Sequence, residues 1–357
     1  MKTKFCLAKI QAAVLAAAVL LVPALQATAA PANSAKVTVL YDAFGKDQKL
    51  QKDWGYAALI EVDGKRILFD TGNNGDILKK NAAAKKVDLR KLDLVVMSHR
   101  HGDHMGGLAY VLSINPKVKI FAPKEGFGVY GGDLPSSFYP KDATLPVEQR
   151  YYDGKPPDVL HFGSAWPGAD IKLIDKDTEI APNIHLIAQV SDKKGTLELR
   201  ELSLVINTVN GAVIIVGCSH SGVENIVTAA AQINPKIQFV GGGFHLIQGQ
   251  TEEVAKVITA LRDTYKVAYI APGHCTGELT FTALKQAFGD HFLYAGLGSV
   301  FELKDTVKVL TAKGEAVRPK MTAEDFHNLR NHLALSDDAE HIQLAEGVDP
   351  HAHAHQH

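Results

Sequence analysis

Ser98-His99-Arg100-His101-Gly102-Asp103-His104-Met105-Gly106-Gly107 follows an apolar run, residues 92–97, that reads as a buried strand. Neutral imidazole and carboxylate suit Zn²⁺ and its first-row neighbours. Side chains alternate sides on an extended segment, so His99 and His101 can point the same way, and Asp103 shares their parity. His104, one position on, can swing toward a second metal. A polar surface loop seldom gathers three histidines and an aspartate directly behind a buried strand. This spacing therefore points to a metal site.

Working outward, residues 36–71 read as a β-meander. Residues 36–40 alternate, 56–62 form a strand, Asp63-Gly64 signals a hairpin, and 66–69 return before Asp70-Thr71-Gly72. Helices are predicted over 76–84 and 105–114, and a strand over 119–122. From 124 to about 182 the pattern weakens. Glycine, proline and aromatic residues (Tyr130, Tyr139, Tyr151, Tyr152, Trp166) predict a cap over the site with short strands, or an insertion covering apolar surface. Regular structure returns with strands 202–208 and 212–216, joined by Asn210-Gly211. Then come a helix at 224–233, a strand at 237–240, a helix at 251–263, and strands at 267–270 and 299–303. This order predicts an α/β (α+β) chain: two packed sheets with helices outside.

The chain has 357 residues and a formal charge of −1, with no basic cluster, which argues against a nucleic-acid partner. Lys2, Lys4 and Lys9 precede an apolar stretch, 12–25, and then Ala27-Thr28-Ala29-Ala30. Residues 1–30 are thus expected to be a removed signal peptide. The mature protein would be periplasmic or secreted, without stable membrane association. Cys6 leaves with that segment. Cys218 and Cys275 remain, either for a disulfide or for metal binding beside their neighbouring histidines. Residues 304–357 read as a C-terminal extension, with a helix over 321–335. Its His-rich tail, 351–357, is either a metal-binding tract or a solvated end.

Four histidine-bearing segments follow apolar strands: His99/His101/His104, His220, His245 and His274. Histidine next to glycine just beyond a strand end delivers ligands to one rim from separate parts of a scaffold. Four repetitions of that arrangement predict a shared metal site.

Four further motifs make a resemblance specific. They are Leu68-Phe69-Asp70-Thr71-Gly72, Gly217-Cys218-Ser219-His220-Ser221-Gly222, Gly242-Gly243-Phe244-His245-Leu246 and Pro272-Gly273-His274-Cys275-Thr276-Gly277. With the first motif they resemble the metallo-β-lactamase-fold superfamily, in its dihydropterin ribofuranosylaminobenzene-phosphate synthase-like branch. The likeness spans about residues 36–303. It implies a four-layer αββα sandwich with a metal centre at one edge, holding one or two Zn²⁺ per chain, with Mn²⁺ or Fe²⁺ as alternatives. His99 and His101 match ligands of a first metal. Asp103, His104 and His274 match ligands of a second, and Asp70 a carboxylate that orients a ligand histidine.

One departure stands out. The superfamily has a histidine before its second hairpin and a metal-bridging aspartate after it. Here Glu198-Leu199-Arg200-Glu201 precedes the hairpin, and Cys218 and His220 follow it. His220 is expected to fill the vacant ligand position. Cys218 is either a thiolate ligand or a buried thiol, and His245 either a ligand or a proton-transfer group.

The resulting expectation is an exported metal-dependent hydrolase using a metal-activated hydroxide on a small-molecule ester, lactone, amide or phosphoester. Asp103 or His245 would shuttle protons. No G-x-S-x-G elbow is present for a serine mechanism. The alternatives are a non-catalytic metal-buffering protein and a pterin-related synthase.

Overall fold

Alternation along the central strands sends neighbouring side chains into different cores. The computed structural model describes residues 30–125, 129–162, 165–193, 198–310 and 316–317. Strands β1 (Ala35–Tyr41), β2 (Ala57–Val62) and β3 (Lys65–Phe69) form the expected antiparallel meander. Asp63 and Gly64 both take positive φ, 46° and 76°, which suits the right-handed twist of a two-residue hairpin. Strands β4 (Leu94–Val96), β5 (Lys119–Pro123) and β8 (Asp170–Ile174) continue this sheet in parallel beyond β3. Strands β6 (Gly132–Pro135) and β7 (Val159–Phe162) pair as a separate ribbon. A second sheet runs from β9 (Thr178–Ala181) through β10 (Ile184–Val190), β11 (Arg200–Thr208), β12 (Gly211–Val216) and β13 (Ile237–Gly243) to β14 (Tyr269–Gly273). Strands β15 (Val300–Leu303), β16 (Val307–Leu310) and β17 (Ala316–Val317) extend the first sheet beside β1.

Ala58, Ile60 and Val62 of β2 meet Leu202, Leu204 and Ile206 of β11 between the sheets. The intervening Ala57 and Leu59 face outward, under helices α1 (Gly75–Ala84) and α3 (Leu108–Ile114). On the other side Ile214 and Val216 lie under α4 (Val223–Ile233), α5 (Thr251–Ile258) and α6 (Glu278–Phe288). The architecture is helix, sheet, sheet, helix. The period-two pattern produces it because the central strands are apolar on both faces.

Several boundaries differ from expectation. The cap predicted over 124–182 is shorter, because β8 and β9 belong to the two sheets. Only one of the five residues of β8, Ile174, is buried, so it reads as irregular in sequence while serving as an edge strand. Strand β10 adds to the strands expected from sequence, and β16 carries the sheet past residue 303. The hairpin predicted at Asn210-Gly211 turns one residue earlier: Thr208 pairs with Gly211, leaving Val209 and Asn210 in the turn. Thr208 Oγ1 donates to Gly211 O and accepts from Asn210 N, which fixes that register. The helix expected over 105–114 divides into a one-turn helix, α2 (Gly102–Met105), and α3. A Cβ at Gly106 would lie 2.0 Å from Asn73 O, so the chain presses against the loop after β3 where the helix breaks. The helix expected over 251–263 passes into a π-turn, Thr259–Thr264, after α5. Residues 1–29, the helix over 321–335 and the tail at 351–357 lie outside the described residues.

Candidate metal centre

Each ligand-bearing loop leaves the same end of a strand. β4 runs into Ser98–His104, β12 into Cys218 and His220, β13 into His245, and β14 into His274. Strands β12, β13 and β14 are mutually parallel, so their following loops emerge on one rim. Asp70, Ser219, His245 and His274 all hold positive φ, between 44° and 63°, which turns the chain sharply where side chains must converge.

Asp70 organises one side. It is fully buried. Its Oδ1 accepts Ser98 N at 2.7 Å, and its Oδ2 accepts Ser98 Oγ at 2.6 Å and His104 Nδ1 at 2.7 Å. Ser98 Oγ also lies 2.8 Å from His99 Nδ1. A hydroxyl that donates to Asp70 can accept only from His99 Nδ1–H. Both rings therefore carry their proton on Nδ1 and present an Nε2 lone pair. Gly217 makes room for this relay, since a Cβ there would meet Ser98 Oγ at 2.2 Å. Thr71 N and Oγ1 both donate to His104 O, at 2.8 Å each, which clasps the loop after β3 onto the motif. From the segment expected as a cap, Tyr130 donates to His99 O at 2.8 Å.

The structure brings all the sequence-predicted residues together. His99 Nε2 lies 3.1 Å from His101 Nδ1, and the His220 ring is 4.9 Å from both rings. His104 Nε2 lies 3.1 Å from His274 Nε2, and Asp103 Oδ2 is 3.3 Å from His274 Nε2 and 3.7 Å from His104 Nε2. Cys218 Sγ stands between the two groups, 3.2 Å from His104 Nε2, and completes a donor triad with His99 and His220 and another with His104 and His274. The His245 ring lies 4.0 Å from the His220 ring, tilted 50° to it, and joins Cys218 and Cys275. Cys218 and Cys275 are free thiols, not the disulfide that export would permit.

These residues fit a metal. Tetrahedral ligands about 2.0–2.1 Å from one ion stand about 3.3 Å apart, close to the nitrogen spacings above. Neither ring nitrogen of buried His220 has a hydrogen-bond partner, which is costly unless a cation takes a lone pair. Burial, with the neighbouring imidazoles, holds His99 and His220 far below the ordinary histidine range and keeps them neutral, as ligation requires. Burial works against ionisation of Asp103, but His104 and His274 outweigh it and hold the carboxylate ionised.

His274 behaves differently. Burial lowers it, yet Cys275 and Asp103 push it up to about 9. Below that pH the metal-free ring carries a proton that binding must expel. Apparent Zn²⁺ affinity should therefore rise by at least about tenfold per pH unit between pH 7 and 9. Competition titrations across that range check it, and a flat profile would contradict it.

Two buried carboxylates not singled out from sequence as site residues support the ligand loops. Glu201 accepts His220 N at 2.9 Å and Ser221 N at 2.8 Å. Asp42 accepts His274 N at 3.0 Å. Cys275 places its sulfur 3.4 Å from Cys218 Sγ. The available signal was a carboxylate inside or directly after an otherwise apolar strand.

A two-sheet sandwich with a His, Asp and Cys cluster at one rim is the architecture of a metal-dependent enzyme superfamily. The metallo-beta-lactamase superfamily profile matches residues 55–274, and the chain belongs to that superfamily. It is 28% identical over 290 residues to a Methanocaldococcus jannaschii protein named 7,8-dihydropterin-6-methyl-4-(beta-D-ribofuranosyl)-aminobenzene-5'-phosphate synthase, covering 72% of this chain and 94% of that one. The crystal structure of Tm1679, described as a metal-dependent hydrolase of the beta-lactamase superfamily, is 27% identical with a TM-score of 0.55, covering 76% of this chain and 98% of that chain. A hydroxyacylglutathione hydrolase of Xanthomonas euvesicatoria matches a shorter stretch, 37% identical over 68 residues, or 19% of this chain and 25% of that protein.

Proposed function

We propose that the protein is a metal-dependent hydrolase acting on a small-molecule ester, lactone, amide or phosphoester. The observation that carries this reading is the convergence of imidazoles from four separate strand ends around one thiol. His99 Nε2, His101 Nδ1 and His220 would hold one ion, Zn²⁺ by donor type. Asp103, His104 and His274 would hold a second, with Cys218 between them. When bound, the metal supplies Lewis acidity and a hydroxide at neutral pH.

The protein's own groups supply the rest. Asp103, 20% exposed at its side chain, is ionised and open enough to take a proton from the attacking water. His245, half-buried against His220, is placed to pass a proton toward a leaving group. Trp54, 44% exposed and 5.1 Å from the His274 ring, gives the substrate a flat apolar wall. The likeness to a protein named as a synthase favours a second reading, in which the same centre serves pterin-related synthesis. Residues 1–30 would direct export, and Edman sequencing of the secreted form tests that.

His101→Ala is the direct test. Turnover of whichever substrate emerges from a screen of phosphodiesters, lactones and β-lactams, with Zn²⁺, Mn²⁺ or Fe²⁺, should fall more than about a hundredfold. His101 is only half-buried, so the melting temperature of the metal-free protein should hold. Undiminished turnover would refute the assignment.

A further inference from the structure

We propose that Cys218, Cys275 and His245 form a third cation site, thiolate-rich, that takes a soft ion such as Cd²⁺, Cu⁺ or an additional Zn²⁺. This goes beyond the hydrolase reading and shares with it the Cys218 sulfur and the His245 ring.

The two sulfurs stand 3.4 Å apart, and one nitrogen of His245 lies within 4.8 Å of both. Two thiolates about 2.3 Å from a common tetrahedral ion would stand about 3.8 Å apart, so a small outward shift accommodates it. The three side chains come from the ends of β12, β13 and β14, and each is held by its backbone. Gly243, two residues before His245, leaves the space for sulfur: a Cβ there would lie 2.8 Å from Cys275 Sγ. His245 holds φ 49°, and its buried Nδ1 has no hydrogen-bond partner. The donor set contains no oxygen, which selects thiophilic ions over Mg²⁺ or Ca²⁺. Two thiolates neutralise a divalent ion, which suits a buried place. Binding forms two metal–sulfur bonds, any proton still on either sulfur leaves to solvent, and no oxidation state changes.

The test uses the reduced full chain carrying Cys6→Ser, so that only two thiols remain, loaded with one equivalent of Cd²⁺. The readouts are thiolate-to-cadmium charge-transfer absorption and the sulfur count at cadmium from X-ray absorption. The His-rich tail contributes neither. Two sulfurs per cadmium are expected. Cys275→Ser and Cys275→Ala should each reduce the band by about half. His245→Gln should keep the band but release Cd²⁺ to a chelator at least about tenfold more readily. One sulfur per cadmium in the otherwise unaltered protein, or a band indifferent to Cys275, would overturn the proposal. The sulfur count decides the matter even if the variants fail to fold. It is also independent of turnover, so failure of the hydrolase reading would show separately in His101→Ala.

Discussion

Asp70→Asn should leave a folded protein whose affinity for Zn²⁺ is lower by about 10–100-fold. The substitution keeps the size of the side chain and removes one acceptor. In the native arrangement three donors, Ser98 N, Ser98 Oγ and His104 Nδ1, all point at the two oxygens of Asp70. An amide nitrogen at Oδ2 would face His104 Nδ1 donor to donor. The ring would then relieve the clash by moving its proton to Nε2, where the lone pair is needed for metal. Ser98 Oγ would accept from the amide and turn its own proton toward His99 Nδ1, reversing that ring as well. With the amide the other way round, its nitrogen would face Ser98 N–H instead. No orientation satisfies all three donors. Competition against a chromogenic chelator gives the affinity, and an unchanged value would refute the role of Asp70 in setting the tautomers.

Gly242→Ala should destabilise the fold by about 4 kcal/mol or more, among the largest effects of a single methyl group. Gly242 has φ +124°, outside the range that other residues adopt easily, and a Cβ there would stand 1.9 Å from Val216 O. That oxygen belongs to the neighbouring parallel strand, where the β12 and β13 ends are drawn together before their ligand loops, so neither side can yield cheaply. Gly64→Ala is the control. Its φ is +76°, but nothing lies within 4 Å of the added carbon, so only the backbone preference is lost, about 1 kcal/mol. Thermal or urea unfolding of the two variants compares them. A Gly242→Ala protein as stable as Gly64→Ala would show that the close approach is not real.

The family and the αββα fold were legible because their signals are local. The run from Ser98 to Gly107 packs its chemistry into one loop, and 202–216 is strongly apolar on both sides of its turn. Other parts were hidden for reasons of distance or exposure. The bond between Asp42 and the His274 backbone spans 232 positions, and nothing near either residue announces the other. Glu201 sits in a strand that reads as apolar, and its charge makes sense only once the β12 loop folds over it. The nearness of Cys275 to Cys218 depends on β12, β13 and β14 lying parallel side by side, which pattern alone does not reveal. Strand β8 is silent in the sequence because an edge strand with four of its five residues at least partly exposed carries almost no hydrophobic rhythm.

The ordering of β12, β13 and β14 has an evolutionary implication. Each of these strands ends in its own donor-bearing loop, and a complete helix separates one from the next. A lengthened or rewritten loop after one strand is absorbed by the helix that follows and does not disturb its neighbours. Lineages sharing this scaffold can thus exchange the rim around the ions piece by piece, diversifying what enters while inheriting the grip beneath it.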